Sequence, residues 1–307
     1  MKKVIVKILV FIVGLIVLDC LIGYIGKRVC LKLAENPRDG QAALLNYNLN
    51  GASPDILILG SSEATSAYMP SIIKDSLLCR TGIEYSVFNA GAYNQDIAYN
   101  YCTFRAASSR KIPKCIILDV IPSSLCSTSP ETSTSQLRPY RSFNPYVRDM
   151  LKYNDSKKNR IMSLSNLFCY NSEILKLLMS FRIPIGADGF DAHEGHMDPN
   201  QEIVVQENSD SINPIALYEF EHTISEAIDN GSKICVTITP KYRKMDKNSN
   251  SYKKIVEICS KYDIPFWDFS DDPLFMDYRI YYNPAHVNPD GALICSKYLA
   301  SKIVEII

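Results

Sequence analysis

The chain has 307 residues, and 33 lysines and arginines balance 33 aspartates and glutamates, so its formal net charge is zero. With no basic stripe, nucleic acid is excluded as the expected partner. Apolar residues make up 47% of the sequence, enough to bury the core of one large domain or two small ones, and no fixed-period repeat or low-complexity tract is present.

Met1-Lys-Lys3 opens onto an apolar stretch from Val4 to about Gly26, interrupted by Lys7 and Asp19. Its length matches the roughly 20 residues that a helix needs to cross a bilayer. Tyr24-Ile25-Gly26 makes a poor signal-peptide cleavage site, and Leu18-Asp19-Cys20 does not fit a lipoprotein signal. Residues 1–26 are therefore expected to be an uncleaved membrane anchor. Lys2 and Lys3 favour a cytoplasmic N-terminus and an extracytoplasmic globular part, although Lys27, Arg28 and Lys32 blunt that asymmetry. Residues 27–50 read as a polar, partly helical stalk, and 51–307 as the folded domain.

Strands and helices then alternate. Ile56 to Leu59 reads as a buried strand, Pro70 to Leu78 as a helix with proline in its first turn, and Tyr85 to Phe88 as a second strand. A helix is predicted from Gln95 to Ser109, and a third strand, an unbroken apolar run, from Cys115 to Val120. Residues 122–213 break the pattern. They are rich in Ser, Pro, Tyr and Asn, carry one apolar helical stretch near Ile161 to Met179, and read as an insertion across the active end of the sheet. Alternation resumes with a helix at Pro214 to Ile228 and a strand at Ile234 to Ile238. A helix at Tyr252 to Tyr262, a short strand at Pro265 to Phe269 and a last helix at Pro289 to Val304 follow. This order implies an α/β fold, a flavodoxin-like doubly wound parallel sheet of about five strands between two helical layers.

The ten cysteines include no Cys-x-x-Cys pair, which gives no support to a zinc knuckle or a thioredoxin-type centre. Cys115, Cys235 and Cys295 sit in apolar runs and read as small buried hydrophobes, and any disulfide pairing stays open.

Two short segments carry the chemistry. Asp55-Ile-Leu-Ile-Leu-Gly-Ser-Ser62 runs a strand into a tight turn, and Asn283-Pro-Ala-His286 precedes the last helix. A serine hydroxyl needs a base within hydrogen-bond reach, and a histidine titrates near the working pH, so Ser62 and His286 are the candidate nucleophile and base. The N–H groups of Ser62 and Gly91 are candidate oxyanion donors, each worth roughly 10²–10³ in rate. Each residue has a plainer use as well: Ser62 as a helix N-cap, His286 as a structural histidine, Asn89 as a turn residue.

In four blocks the chain resembles the SGNH/GDSL hydrolases, and among them the membrane-anchored bacterial members. The blocks are Gly60-Ser61-Ser62, Asn89-Ala-Gly91, the segment Cys115 to Ser124, and Asn283-x-x-His286 with Asn288-x-x-Gly291-Ala292. The resemblance spans roughly 54–120 and 230–305. It implies ester chemistry, hydrolysis or acyl transfer, on a small ester or an acylated cell-envelope glycan, and a place on the periplasmic side of an inner membrane. It implies no cofactor, and no phosphate-cradling glycine loop points to a nucleotide.

Three positions depart from that pattern. Asn283 stands where the family carries an aspartate to orient the imidazole; in the serine-protease template such a change costs roughly 10⁴-fold through the wrong tautomer. Asp277 is the candidate substitute. The third-block asparagine is missing, which leaves Ser123 as a stand-in donor. Glu63 puts a negative charge after the nucleophile, and Asn89, Tyr93 and Glu63 are expected to line the substrate crevice. The departures favour an alternative reading, a catalytically impaired family member that binds a glycan or a partner in envelope assembly. His193-Glu-Gly-His196, near Asp188 and Asp191, lacks the His-Glu-x-x-His spacing of metalloproteases and reads first as a solvated surface loop and second as a substrate-contacting loop, with no metal expected.

Overall fold

The computed structural model describes residues 2–126, 131–200, 211–242 and 245–307. It begins with α1, Lys2–Leu33, and α2, Gln41–Asn50. Next come β1, Ile56–Leu59, α3, Ser62–Ala67, α4, Pro70–Thr81, β2, Val87–Asn89, α5, Ile97–Ser108, and β3, Cys115–Asp119. The insertion holds a 3-10 turn at Pro122–Cys126, then α6, Glu131–Leu137, α7, Pro145–Asn154, α8, Lys157–Met162, α9, Asn166–Tyr170, and α10, Glu173–Ser180. Residues 127–130 and 201–210 of the insertion lie outside the described residues. The chain closes with α11, Pro214–Asp229, β4, Lys233–Ile238, α12, Asn250–Lys261, β5, Phe266–Asp268, the hairpin β6, Tyr281–Asn283, and β7, His286–Val287, and α13, Pro289–Ile303.

The five strands are parallel in the order β2-β1-β3-β4-β5, the doubly wound arrangement expected from alternating strands and helices. Side chains on a strand point alternately to its two faces. Ile56, Ile58, Cys115, Ile117 and Cys235 fill one core with α4 and α13. Leu57, Leu59, Ile116, Leu118, Ile234 and Val236 fill the other with α5, α11 and α12. Cys115, Cys235 and Cys295 are all fully buried, as small hydrophobes. Each large aliphatic chain so buried contributes roughly 1.5–3 kcal/mol, and together they fix the sheet whose carboxyl ends carry the site.

A third core joins the end of α1 and α2 to α5 and the insertion, through Cys30, Leu33, Leu45, Leu49, Tyr99, Tyr140 and Tyr170. Residues 27–50 are therefore packed structure in place of the expected stalk. Asn46 and Asn48 are buried there and hydrogen-bonded inside the fold. Asn46 Nδ2 donates to Cys30 O at 2.9 Å, and Asn48 Nδ2 donates to Ala90 O and Tyr99 Oη at 3.1 and 2.7 Å.

The apolar stretch expected as one helix near Ile161 to Met179 is three. Ser165 caps α9, accepting from Phe168 N, and Asn171, at φ 29°, ends it. Local side-chain hydrogen bonds of this kind compete with helix continuation. The insertion's last stretch, about 183–198, runs extended as a strap. Asn89 N donates to Asp188 O at 3.0 Å, Asp191 N to Thr65 O at 3.0 Å and Met197 N to Tyr281 O at 2.8 Å, which ties the strap across the carboxyl end of β2 and along β6.

Candidate active site

The turn after β1 is built around Gly60, where a Cβ would lie 2.5 Å from Ala64 Cβ and 3.1 Å from Asp119 Cβ. Ser61 is the N-cap of α3, its hydroxyl accepting from Glu63 N at 3.3 Å. With the cap supplied by its neighbour, the Ser62 hydroxyl is directed elsewhere: its Oγ lies 3.0 Å from His286 Nε2. No described residue takes the Ser62 N–H, a first-turn donor of α3.

His286 stands at the start of β7, where the turn from β6 is closed by Asn283. The Asn283 Oδ1 accepts from Ala285 N at 2.9 Å and from His286 N at 3.0 Å, and lies 3.1 Å from His286 Nδ1. Two backbone donors demand an acceptor, so the amide oxygen, not its NH2, faces the ring. Nδ1 then carries the proton and Nε2 presents its lone pair to Ser62, the tautomer a general base needs. The wrong-tautomer penalty of the serine-protease substitution does not arise with this orientation; what Asn283 lacks relative to aspartate is charge.

Asp277 does not occupy the orienting position. Its carboxylate holds Arg279 through Nε at 2.9 and 3.0 Å and Nη2 at 2.6 Å, and it caps the following turn. Arg279 keeps its carboxyl below the usual range.

Glu63 is 4% exposed, and its carboxylate is ion-paired with the equally buried Lys241 and accepts from Thr239 Oγ1 at 3.3 Å. It lies behind Ser62 and does not line a crevice as expected; Lys241 supplies the countercharge that its burial requires. Asp119, at the end of β3, joins this buried group. Its Oδ1 accepts from Thr237 Oγ1 at 3.1 Å and Tyr68 Oη at 3.3 Å. Burial first, then the nearby Glu63, pushes its carboxyl up to about 8 against the opposing pull of Lys241.

Asn89 is also buried and acts as a bracket in place of the expected substrate contact. Its Nδ2 donates to Ala64 O and Tyr68 O at 2.8 and 3.0 Å, and its Oδ1 accepts from Gly91 N at 3.0 Å. The Gly91 N–H expected in the oxyanion hole is thus taken by Asn89 in this structure. Ser123 lies in the 3-10 turn that packs on α11 and α12, and no hydrogen bond among the described residues joins it to Ser62 or His286.

Tyr93 does flank the site. Its hydroxyl faces Asp191 and Thr65, and burial with the Asp191 charge pushes it up to about 12. The strap delivers His193, from the segment that reads first as a solvated surface loop and second as a substrate-contacting one. The His193 ring stacks on Tyr282, with centroids 5.1 Å apart, meets His286 edge-on at 4.8 Å and approaches Tyr93 at 6.0 Å. The glycine-flanked setting was the available signal: Gly189, at φ 88°, passes so close to Asn89 O that a Cβ would sit 1.7 Å from it. His196 turns away, its Nδ1 3.0 Å from Arg279 O. Among the described residues no group of three or more His, Cys, Asp or Glu gathers to hold a metal.

The arrangement can deliver a serine oxygen to an acyl carbon, with a correctly tautomerised imidazole to take its proton. No protein-family model matches the chain, and no curated protein does. Among solved structures it is similar to a lipase/acylhydrolase from Enterococcus faecalis, with a TM-score of 0.40 and 10% identity over 82% of this chain and 97% of that one. It is similar also to an alpha/beta hydrolase enzyme from the metagenome of Lake Arreo, Spain, with a TM-score of 0.39 and 9% identity over 80% and 93%. These likenesses are distant, and the geometry of the site alone carries the functional reading.

Proposed function

We propose that this chain is a membrane-anchored serine esterase or O-acyltransferase of the SGNH/GDSL type. One observation carries the reading: Ser62 Oγ lies 3.0 Å from His286 Nε2, on a ring whose Nδ1 faces the pinned Asn283 oxygen. In this reaction Ser62 Oγ attacks the ester carbonyl carbon as its proton passes to His286 Nε2. The Ser62 N–H supports the oxyanion. The tetrahedral adduct collapses, Nε2–H protonates the departing alcohol, and the acyl group rests on Ser62. Water or an acceptor hydroxyl then attacks the acyl-serine, with His286 again taking the proton, and the second adduct collapses with cleavage of the acyl–Oγ bond as Nε2–H returns the proton to Ser62. α1 is long and apolar enough to cross a membrane, and Lys2 and Lys3 favour a domain outside the cytoplasm. An acylated envelope glycan is the substrate class this placement suits.

The test is fluorophosphonate labelling of the purified full-length chain, comparing wild type with Ser62→Ala and His286→Ala. Labelling that needs both residues is the expected result. Labelling that survives Ser62→Ala would remove Ser62 from the role. A second reading, a non-catalytic member that binds a glycan or an assembly partner, is favoured by the Gly91 N–H being taken by Asn89. Folded wild type that never labels selects it.

A further inference from the structure

The part of α1 ahead of Asp19, Val4 to Leu18 with Lys7 within it, does not reach across a bilayer by itself. At 1.5 Å per residue it reaches about 22 Å, against roughly 30 Å of hydrocarbon. Beyond it the helix is no longer free to be lipid-solvated all round. Asp19 accepts from Ser165 Oγ at 2.6 Å, Asn166 N at 3.0 Å and Leu167 N at 2.9 Å, holding the start of α9. Gly23 and Gly26 then let α9 lie against α1; a Cβ on them would come within 2.5 Å of Asn166 and 2.3 Å of Tyr170. The folded domain therefore begins at the level of Asp19.

That level carries an unpartnered apolar surface. Ile161 is 60% exposed, Met162 42%, Leu164 75% and Leu167 39%, on the last turn of α8, the link that follows it and the first turn of α9. Lys157, Lys158 and Arg160 are exposed on α8 beside them. Apolar side chains next to a basic cluster, continuous with a helix that enters lipid, fit the boundary between acyl chains and anionic headgroups.

We propose that α8 and the start of α9 form a foot immersed in the lipid interface beside α1. The foot supplies the depth the short span lacks. A deficit of about 8 Å falls within the roughly 5–10 Å to which interfacial helices sink. The inference rests on α1 entering a bilayer and is independent of the chemistry at Ser62.

The test uses the full chain in vesicles of equal parts phosphatidylglycerol and brominated phosphatidylcholine. Trp267 is the sole tryptophan, so Trp267→Phe gives a silent background. Single tryptophans are then placed by Ile12→Trp in the span, Leu164→Trp in the foot and Leu78→Trp on α4 at the far sheet face. Bromine quenching at positions 12 and 164, with none at 78, is the expected result. Quenching at 12 without 164 overturns the foot while leaving the anchor. No quenching at 12 overturns both. Emission at 164 that is blue-shifted, unquenched and dependent on protein concentration shows a second copy covering the patch and also overturns the proposal. Leu167→Trp repeats the measurement if Leu164→Trp fails to fold.

Discussion

Behind Ser62 lie Glu63, Lys241 and Asp119, ionisable and nearly inaccessible to water. In front of it lie Asn283, His286 and His193, none of them a carboxylate and all partly exposed. The back cluster resembles a structural ion pair with an extra carboxyl, whereas the front is a hydrogen-bonded relay with no fixed charge. The difference teaches where electrostatics act in this molecule: charge holds the turn at Ser62 to β3 and β4, and geometry alone orients the His286 ring.

The contrast breaks most readily from behind. Lys241→Met leaves Glu63 buried without its cation and is expected to cost about 3–5 kcal/mol, read from urea denaturation. Glu63→Gln in the same chain should restore most of that loss. A single variant as stable as wild type would mean the pair does not hold the turn.

The second test is pH. An unfolded aspartate titrates near 3.9, and folded Asp119 at about 8. Between those values the folded chain binds more protons than the unfolded one, so this group makes stability fall as pH rises from about 4 to 8. Asp119→Asn should flatten that fall in melting temperature relative to wild type. Parallel curves would show that Asp119 is ionised throughout.

The front is sharpened by adding the missing charge. Asn283→Asp keeps an acceptor for both backbone donors and strengthens the bond to Nδ1. Charge-assisted bonds are roughly twice as strong as neutral ones, so kcat/KM for an aryl ester should rise about tenfold, or 1.4 kcal/mol. A rise of roughly 10⁴-fold would mean that the amide NH2 faces the ring and holds the wrong tautomer in wild type; no rise would mean that charge at this position does not help the ring. The smallest effect is expected at the aromatic wall. His193→Leu removes a stacking partner worth about 0.5–1.5 kcal/mol and should raise KM several-fold with little change in kcat. A collapse of kcat instead would make His193 part of the proton relay.

The same contrast explains what could be read in the sequence. The central strands announce themselves because Ile-Leu-Ile-Leu and Cys-Ile-Ile-Leu-Asp are covered on both faces, which demands unbroken apolar runs. Ser62 and His286 are legible because few residue types can attack or take a proton. Asn283 was legible as a departure, but not its orientation, which depends on two backbone N–H groups in a hairpin too short to show a period. Glu63 looked like an exposed charge because its partner lies 178 residues away. His193 was hidden for a related reason: its place is set by backbone bonds from Asp188 and Met197 to distant strands. The stretch 27–50 misled through composition, since buried asparagines with partners look the same in sequence as solvated ones.

The ten cysteines stand as free thiols, and this bears on how the chain would have to fold in the extracytoplasmic, oxidising setting proposed above. Cys115 on β3 and Cys235 on β4, which sits opposite Ile117 two positions along, face the same core, and Cys295 packs there too. Burial pushes the Cys115 thiol up to about 12, and those of Cys235 and Cys295 well above the ordinary range. A thiol so held has almost no thiolate to react. The unfolded chain has no such protection, so sheet closure has to outrun oxidation. Once closed, the same residues become timers: alkylation of Cys79 reports the intact surface, while alkylation of Cys235 counts each opening of the sheet's centre.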